Sequence, residues 1–396
     1  MSTRHFSRCA WASRFCWMSC FAWASRSRLI QTAWLCLVME VLMLVAPRAY
    51  AATEASTVLR RYDDSKTQVL SPSVEVTSTF NEDRMTLSFE HTQDLLTSAS
   101  SEVKTYASQG KITDHRKEFG LNFSSLIPDG NISFGVITSD EEDYNSRIVV
   151  AGGTREFFQK NTTVGFGFAT GADVIRANGN PTFIEGMSHQ IYSISLAQIL
   201  SKQAIFQILY DFRVENGYIA SAYRRAKVIS GSSIVALSEN HPRTRNRHAV
   251  GFKYNYFSNA LKTSFATAYR IYQDSWGVMS HTLEERISYE FSRKFEIATT
   301  LRFYTQNKAK FHKDYYVGDP GPFYTGNNTL GTYNSINLGV RPSWNITDKF
   351  NLSAKFEAYQ QRFQDVTAAN RLETLDDDER LKIDAFVVGL GMSAKF

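Results

Sequence analysis

The chain has 396 residues, a net charge of +5 and only four cysteines. All four cysteines lie within residues 1–51, and the six arginines and one glutamate of that segment account for the entire charge surplus. Residues 52–396 are therefore neutral overall and contain no thiol. This excludes disulfides, cysteine metal sites and a basic nucleic-acid-binding surface from that part of the chain, so we expect no nucleic-acid partner.

Residues 1–51 have the composition of a signal peptide. Arginines precede an apolar run over about 33–46, and Ala49-Tyr50-Ala51 supplies small residues before a cleavage point. We expect cleavage before Ala52. A retained membrane helix is the alternative, but the apolar run is shorter than the roughly 18–20 residues that a spanning helix needs. It also contains Glu40.

Residues 52–396 alternate between apolar and polar side chains with a period of two, which indicates β-strands. In a transmembrane β-barrel the apolar faces contact lipid and the polar faces line the lumen. A soluble sandwich fits less well, because nearly every strand has a polar face that a packed core would not accept. The last strand has an apolar face that ends at Phe396. Such an ending resembles the signal read by the barrel-assembly machinery, which we expect as a partner.

The turns between the strands predict their number. Seven short polar turns are expected on the periplasmic side, and long connections, including 176–188, 218–247 and 307–331, on the outer side. A further strand near 56–62 brings both termini to the periplasmic side. The sequence thus predicts an all-β fold, an antiparallel up-and-down transmembrane β-barrel of about 16 strands over residues 52–396; counts of 14–18 also fit the turns.

Charged residues with inward parity form the main candidate site. Five of them, on three consecutive predicted strands, are Arg270, Asp274, Glu284, Arg286 and Arg302. Opposite charges on neighbouring strands can pair across a sheet, so one interpretation is a structural ladder of ion pairs. The other is an eyelet that binds a permeating solute. Glu285 breaks the pattern, because its parity points it towards lipid.

The predicted loops and strand ends carry acidic residues and one candidate catalytic grouping. Glu141 and Asp143 have inward parity near the outer mouth, where they could bind a cation or simply be solvated. Ser280, His281 and Glu284 form the only compact catalytic grouping, but His281 has the opposite parity from the other two. We therefore expect neither enzyme activity nor a cofactor, and the sequence predicts no metal site.

Several polar-aromatic clusters, taken in order, resemble a known family. The most specific are the Tyr-Arg-x-Tyr-x-Asp-x-Trp-Gly run at 269–277, the Ser-His-Thr-x-Glu run at 280–284 and the Arg-x-Tyr-x-Gln run at 302–306. Together they are similar to the family designated domain of unknown function 3570. Ala222 departs from the family pattern, in which proline precedes Tyr223. The resemblance implies a barrel fold and an outer-membrane location, and its usual gene neighbours imply an extracytoplasmic redox context.

These features lead to two functional hypotheses. The first is a channel or transporter with a charge-lined lumen in the outer membrane of a Gram-negative bacterium, in contact with lipid and lipopolysaccharide. The second is a structural or docking barrel with a filled lumen, which serves a periplasmic or extracellular partner. The sequence does not identify a permeant.

Overall fold

The computed structural model describes residues 52–64, 66–98, 112–364 and 382–396. The predicted signal peptide, residues 1–51, lies outside the described residues, as do most of the predicted connections 97–113 and 365–380. Among the described residues, no helix has the length and apolarity that a membrane crossing would require.

Nineteen strands make up most of the described chain. They are β1 (Ala52–Asp63), β2 (Thr67–Phe80), β3 (Met85–Ser98), β4 (Ile112–Ile127), β5 (Gly130–Asp140), β6 (Tyr144–Phe157), β7 (Thr162–Ala177), β8 (Asn180–Ser201), β9 (Ala204–Gly217), β10 (Arg225–Ser230), β11 (Ser233–Ser238), β12 (Thr244–Ser258), β13 (Thr263–Asp274), β14 (Met279–Ser292), β15 (Phe295–Gln306), β16 (Tyr316–Val317), β17 (Tyr333–Thr347), β18 (Phe350–Phe363) and β19 (Lys382–Lys395). A short 3₁₀ turn, Asn328–Leu330, precedes β17.

All strands except β10, β11 and β16 close into one antiparallel barrel of sixteen strands. Each strand pairs with the next in the chain, β9 lies beside β12, and β15 lies beside β17. The barrel closes where β1 pairs with β19, from Glu54 opposite Lys395 to Asp63 opposite Phe386. The predicted fold class and strand number are confirmed, and the strand predicted near 56–62 is β1.

Short turns occupy one end of the barrel, which also holds both strand termini, Ala52 and Lys395. All seven predicted short turns are present. We call the opposite end the mouth. The predicted connection 176–188 was wrong: β7 and β8 continue as a long hairpin that turns at Asn178 and Gly179. Gly179 adopts a φ of 82°, which costs little without a Cβ, so a two-residue turn is sufficient.

The outward faces of the strands are apolar. Phe134, Phe166 and Phe386 are 55%, 58% and 66% exposed, and they alternate with less exposed residues along their strands. This alternation is the pattern of a barrel surrounded by lipid. Glu285 is the exception that the sequence indicated. It has the outward parity of Leu283 and Ile287, and its carboxylate accepts a 2.6 Å hydrogen bond from the Thr267 hydroxyl on β13.

Three connections fold together at the mouth, and we call residues 218–243, 275–278 and 307–332 the mouth cap. The β10–β11 hairpin belongs to the first connection, and β16 from the third pairs with β10 in parallel. Two small apolar cores hold these segments, one around Tyr316 and the other around Trp276. The cap also contacts the β5–β6 and β7–β8 connections, because the Tyr223 hydroxyl donates to Asp143 and accepts from the Asn178 amide.

Candidate functional site in the lumen

A cavity of about 570 Å³ opens on the inner wall of the barrel at mid-depth, and we call it the lumen recess. Strands β14, β15, β17, β18, β19 and β1, which are consecutive around the barrel, form it. Its charged lining residues are Arg60, Glu284, Arg286, Arg302, Arg341, Lys355 and Glu357. Three of the five predicted site residues, Glu284, Arg286 and Arg302, therefore lie together in this recess.

Sequence reasoning missed the other charged residues of the recess. Arg60 lies on the first strand and Lys355 on the second-last, and barrel closure places both opposite Gly389 of β19. Their inward parity was readable from the sequence, as was the inward parity of Glu357, two residues after Lys355. What was not readable is the register that brings them into one recess with Arg302: β1 and β18 both pair with β19, and β17 lies between β18 and the strand of Arg302.

The recess contains two ion pairs and three arginines outside them. Arg302 bonds Glu284 through Nε at 2.7 Å and Nη2 at 2.6 Å, and Lys355 Nζ lies 2.9 Å from Glu357 Oε1. Within the described part of the chain, Arg60, Arg286 and Arg341 have no hydrogen-bond or ion-pair partner for their side chains. Five basic groups thus face two carboxylates, and the recess carries a positive surplus.

Glycines keep the recess open. A Cβ on Gly339 would lie 3.2 Å from Glu357 Cγ, and one on Gly391 would lie 2.9 Å from Ser353 Oγ. The opposite wall is also lined by small residues. Strands β6 and β7 lie half-way round the strand order from β17 and β18, and their inward residues include Gly152 and Gly167, which face each other. The absence of side chains at these positions leaves width in the lumen across from the charges.

Asp274 lies apart from the recess, in a buried network beneath the mouth cap. Its side chain is fully buried and accepts hydrogen bonds from Arg245 at 2.5 and 2.9 Å, from the Tyr272 hydroxyl at 2.8 Å and from the Val278 amide at 2.9 Å. The Arg245 guanidinium lies 4.2 Å from the centroid of the Trp276 ring. Asp274 therefore joins the barrel wall to the cap, and this carboxylate does not face an open lumen.

Arg270, the fifth predicted residue, lies between the two regions. Its guanidinium carbon is 5.8 Å from the centroid of the Tyr272 ring. Its backbone pairs with Thr282, two residues from Glu284. The position is inward, as predicted, but Arg270 does not belong to the residues that line the recess.

The two acidic candidates of the mouth, Glu141 and Asp143, lie in a cluster with a third acidic residue, Asp114. Carboxylate oxygens of Asp114, Glu141 and Asp143 all lie within 4.8 Å of one another. Burial raises the pKa of Glu141 to about 6, the Asp114 charge adds to the rise, and Arg116 partly offsets it. The sequence did not predict the contribution of Asp114, because it follows the long predicted connection 97–113.

Further buried polar contacts lie on the mouth side of the inner wall. The Tyr144 hydroxyl donates to Asp173 at 2.6 Å, and His189 Nδ1 lies 3.6 Å from the same carboxylate. Glu215, which is also buried, lies 2.9 Å from Arg213 Nε and 2.6 Å from Arg247 Nη2. Polar groups in this half of the lumen are packed against each other, in contrast to those of the recess.

The catalytic grouping considered from the sequence does not converge. His281 lies on the outward face, where the Tyr269 hydroxyl contacts its Nδ1 at 2.7 Å. Ser280 is buried on the inward face, and Glu284 is held by Arg302. These positions agree with the opposite parity expected for His281.

The family resemblance noted above is now supported over most of the chain. The family model described as a protein of unknown function, DUF3570, matches residues 97–376. The chain belongs to this family. The matched region covers the mouth cap and strands β14, β15, β17 and β18 of the recess, whereas β1 and β19 lie outside it. No curated protein sequence matches the chain.

Solved structures of outer-membrane barrels are similar to this DUF3570 member in fold. A bacterial polysaccharide outer membrane secretin has a TM-score of 0.53 at 8% identity, covering 88% of this chain and 100% of that one. The outer membrane protein opdK from Pseudomonas aeruginosa has a TM-score of 0.43 at 8% identity, covering 87% and 98%. CdiB from Acinetobacter baumannii has a TM-score of 0.49 at 9% identity, covering 87% and 60%. At such identities the likeness to the secretin concerns the fold alone.

Proposed function

We propose that the protein is a channel of the Gram-negative outer membrane, through which small hydrophilic solutes cross by way of the lumen recess. The observation that carries this proposal is the exposure of charged inward side chains at mid-depth. The Arg302 side chain is 55% exposed and that of Lys355 is 45% exposed. Side chains that filled the lumen would be buried, whereas charges that remain hydrated at this depth are expected of a wall in contact with water.

The proposed membrane setting follows from the exterior. The apolar outward faces contact the lipid and the hydrocarbon chains of lipopolysaccharide, and the short turns lie in the periplasm. The last strand presents Phe386, Val388 and Leu390 outward and ends beside Phe396, whose amide donates to the Thr53 carbonyl at 2.8 Å. This strand is the proposed signal for the barrel-assembly machinery.

Conductance measurements test the channel directly. Purified protein added to planar bilayers is expected to give stepwise ion currents, and its folded state is checked by a heat-dependent shift in gel mobility. Folded protein without any conductance would contradict the channel. An uncharged sugar that enters protein-loaded liposomes at the rate of protein-free liposomes would contradict it as well.

The mouth cap favours a second candidate, a docking barrel. A folded sheet with its own apolar cores is more than a passive loop requires, and it exposes Val317 and Phe323, which are 79% and 41% accessible. This candidate predicts no conductance from the intact protein, and none from a variant in which residues 313–323 are replaced by a short Gly-Ser linker.

A further inference from the structure

We propose that the lumen recess is a binding subsite for small organic anions in which a carboxylate or phosphate group is carried on a ring. The inference rests on the proposed channel and names the class of solute that it would select. Two tiers of side chains carry it. The deeper tier is basic, and the tier nearer the mouth is aromatic.

The basic tier supplies charge that the protein does not neutralise. Arg60, Arg286 and Arg341 line the same cavity, and among the described residues none of them has a side-chain partner. A guanidinium offers a planar fork of donors that matches the two oxygens of a carboxylate or phosphate. Uncompensated charges of one sign on a low-dielectric wall concentrate counter-ions in the space beside them. The recess thus favours anions.

The paired charges of the recess do not reverse this preference. Glu284 is already bonded to Arg302, and Glu357 lies 2.9 Å from Lys355. Each pair is neutral as a unit, so the surplus at the recess is the charge of the three unpaired arginines.

The aromatic tier lies on the same strands, on the same inward face and nearer the mouth. The spacing is shortest on β1 and β15, where Tyr62 and Tyr304 lie two residues after Arg60 and Arg302. On β18 Tyr359 lies four residues after Lys355, and on β17 Tyr333 lies eight residues before Arg341. The Tyr304 and Tyr333 ring centroids are 5.3 Å apart. A solute whose anionic group reaches Arg60 from the mouth therefore has its body beside the Tyr62 ring.

Ring-bearing solutes gain most from this second tier. Aromatic faces stack on planar or ring-shaped groups. A mineral anion such as phosphate would use the arginines alone. Benzoate is therefore a suitable probe for both tiers, and acetate is its matched control without a ring.

The first experiment measures ion selectivity and block in planar bilayers with purified protein. In a potassium chloride gradient the reversal potential is expected to indicate anion preference, and benzoate is expected to reduce the current at lower concentration than acetate does. The triple variant Arg60→Gln, Arg286→Gln and Arg341→Gln is expected to lose both effects. Arg61→Gln is the matched control, because Arg61 faces outward and pairs with Asp63.

The second experiment measures benzoate binding to the detergent-folded protein by calorimetry, so that it does not depend on conductance. The triple variant is expected to bind benzoate at least tenfold more weakly than wild type, since a hydrogen bond to a charged group contributes on the order of one decade or more in affinity. Arg61→Gln is expected to bind as wild type does. The heat-dependent gel shift verifies that each variant is folded.

The outcomes separate the subsite from the channel. Conductance without anion preference, or selectivity unchanged in the folded triple variant, overturns the subsite and leaves the channel standing. Benzoate binding that requires the three arginines, without conductance, overturns the channel and retains the subsite. Equal affinity for benzoate and acetate overturns the role of the tyrosine tier.

Discussion

The mouth and the middle of the lumen use the same kinds of residue in opposite ways. Beneath the cap, Asp274 and Arg245 are buried against each other and against the Tyr272 hydroxyl and Val278 amide. At mid-depth, the half-buried Glu284 pairs with the exposed Arg302, and Arg286 is unpaired nearby. Inward parity places a charged side chain on the lumen side of the wall. Its position along the strand determines whether that side chain is buried in contacts between the wall and the cap or is exposed to solvent.

The largest difference in the free energy of unfolding is expected between two variants, each of which lacks the acidic partner of one region. Asp274→Ala leaves Arg245 buried without its carboxylate and should lower the free energy of unfolding by about 3–5 kcal/mol. Glu284→Ala breaks a pair in contact with solvent and should cost about 0–1 kcal/mol. Denaturant unfolding of the detergent-folded barrel, followed by tryptophan fluorescence, measures both.

The two variants test whether the buried network of the mouth differs from the solvent-facing pair of the recess. If both substitutions cost the same, the mouth network is no better shielded than the recess, and the distinction between joining and solvent-facing charges is lost. Arg61→Gln, at an exposed pair outside the lumen, gives the baseline for a surface ion pair.

A smaller effect is expected within the cap. The Tyr316 hydroxyl accepts from the buried Thr325 amide at 2.8 Å and donates to the Phe311 carbonyl at 2.5 Å. Tyr316→Phe keeps the ring but leaves that amide unsatisfied, which should cost about 1–3 kcal/mol of local stability. Hydrogen exchange at Thr325 should accelerate about tenfold or more. Tyr324→Phe is the control, and acceleration there of equal size would argue against the hydroxyl's role.

The smallest effect concerns pH at the acidic cluster of the mouth. The pKa of Glu141 is raised from 4.5 to about 6 in the folded protein. The unfolded chain therefore loses this proton first, so that the contribution of Glu141 to stability falls as pH rises from about 4.5 to 6 and stays low above that range. Glu141→Gln should stabilise the protein by about 1 kcal/mol at pH 7.5 and leave it unchanged at pH 4.

The neighbouring Glu142, which is exposed, supplies the control for this prediction. Urea unfolding at the two pH values should show no comparable stabilisation for Glu142→Gln. A Glu141→Gln variant that is less stable than wild type at pH 7.5 would contradict the assigned direction.

Much of the barrel was predictable because residues close together in the sequence determine its strands and short turns. Period-two alternation and short polar turns indicated sixteen strands, and these are the strands of the closed barrel. The hairpin at Asn178 was missed because polar residues between 176 and 188 read as a loop, although strands that extend beyond the membrane are free to be polar on both faces.

The candidate site was only partly predictable because it depends on closure. Glu284 and Arg302 could be paired from the sequence, since β14 and β15 are neighbours in the chain. Arg60 joins them only through the pairing of β1 with β19, and no local pattern specifies the register of that pairing. The mouth cap was missed for the same reason, since β10 and β16 are about 90 residues apart and meet through tertiary packing.

The access of water to the recess and to the region beneath the cap can be measured directly by thiol labelling. Residues 52–396 contain no cysteine, so only an introduced thiol in this part of the chain would react. Single variants Asn337→Cys in the recess and Ser280→Cys beneath the cap, where Ser280 is 3% exposed, would be treated with a charged, water-soluble thiol reagent. The folded Asn337→Cys variant should react rapidly with the reagent, and the folded Ser280→Cys variant should react slowly. Equal protection of both positions would contradict a water-filled lumen recess.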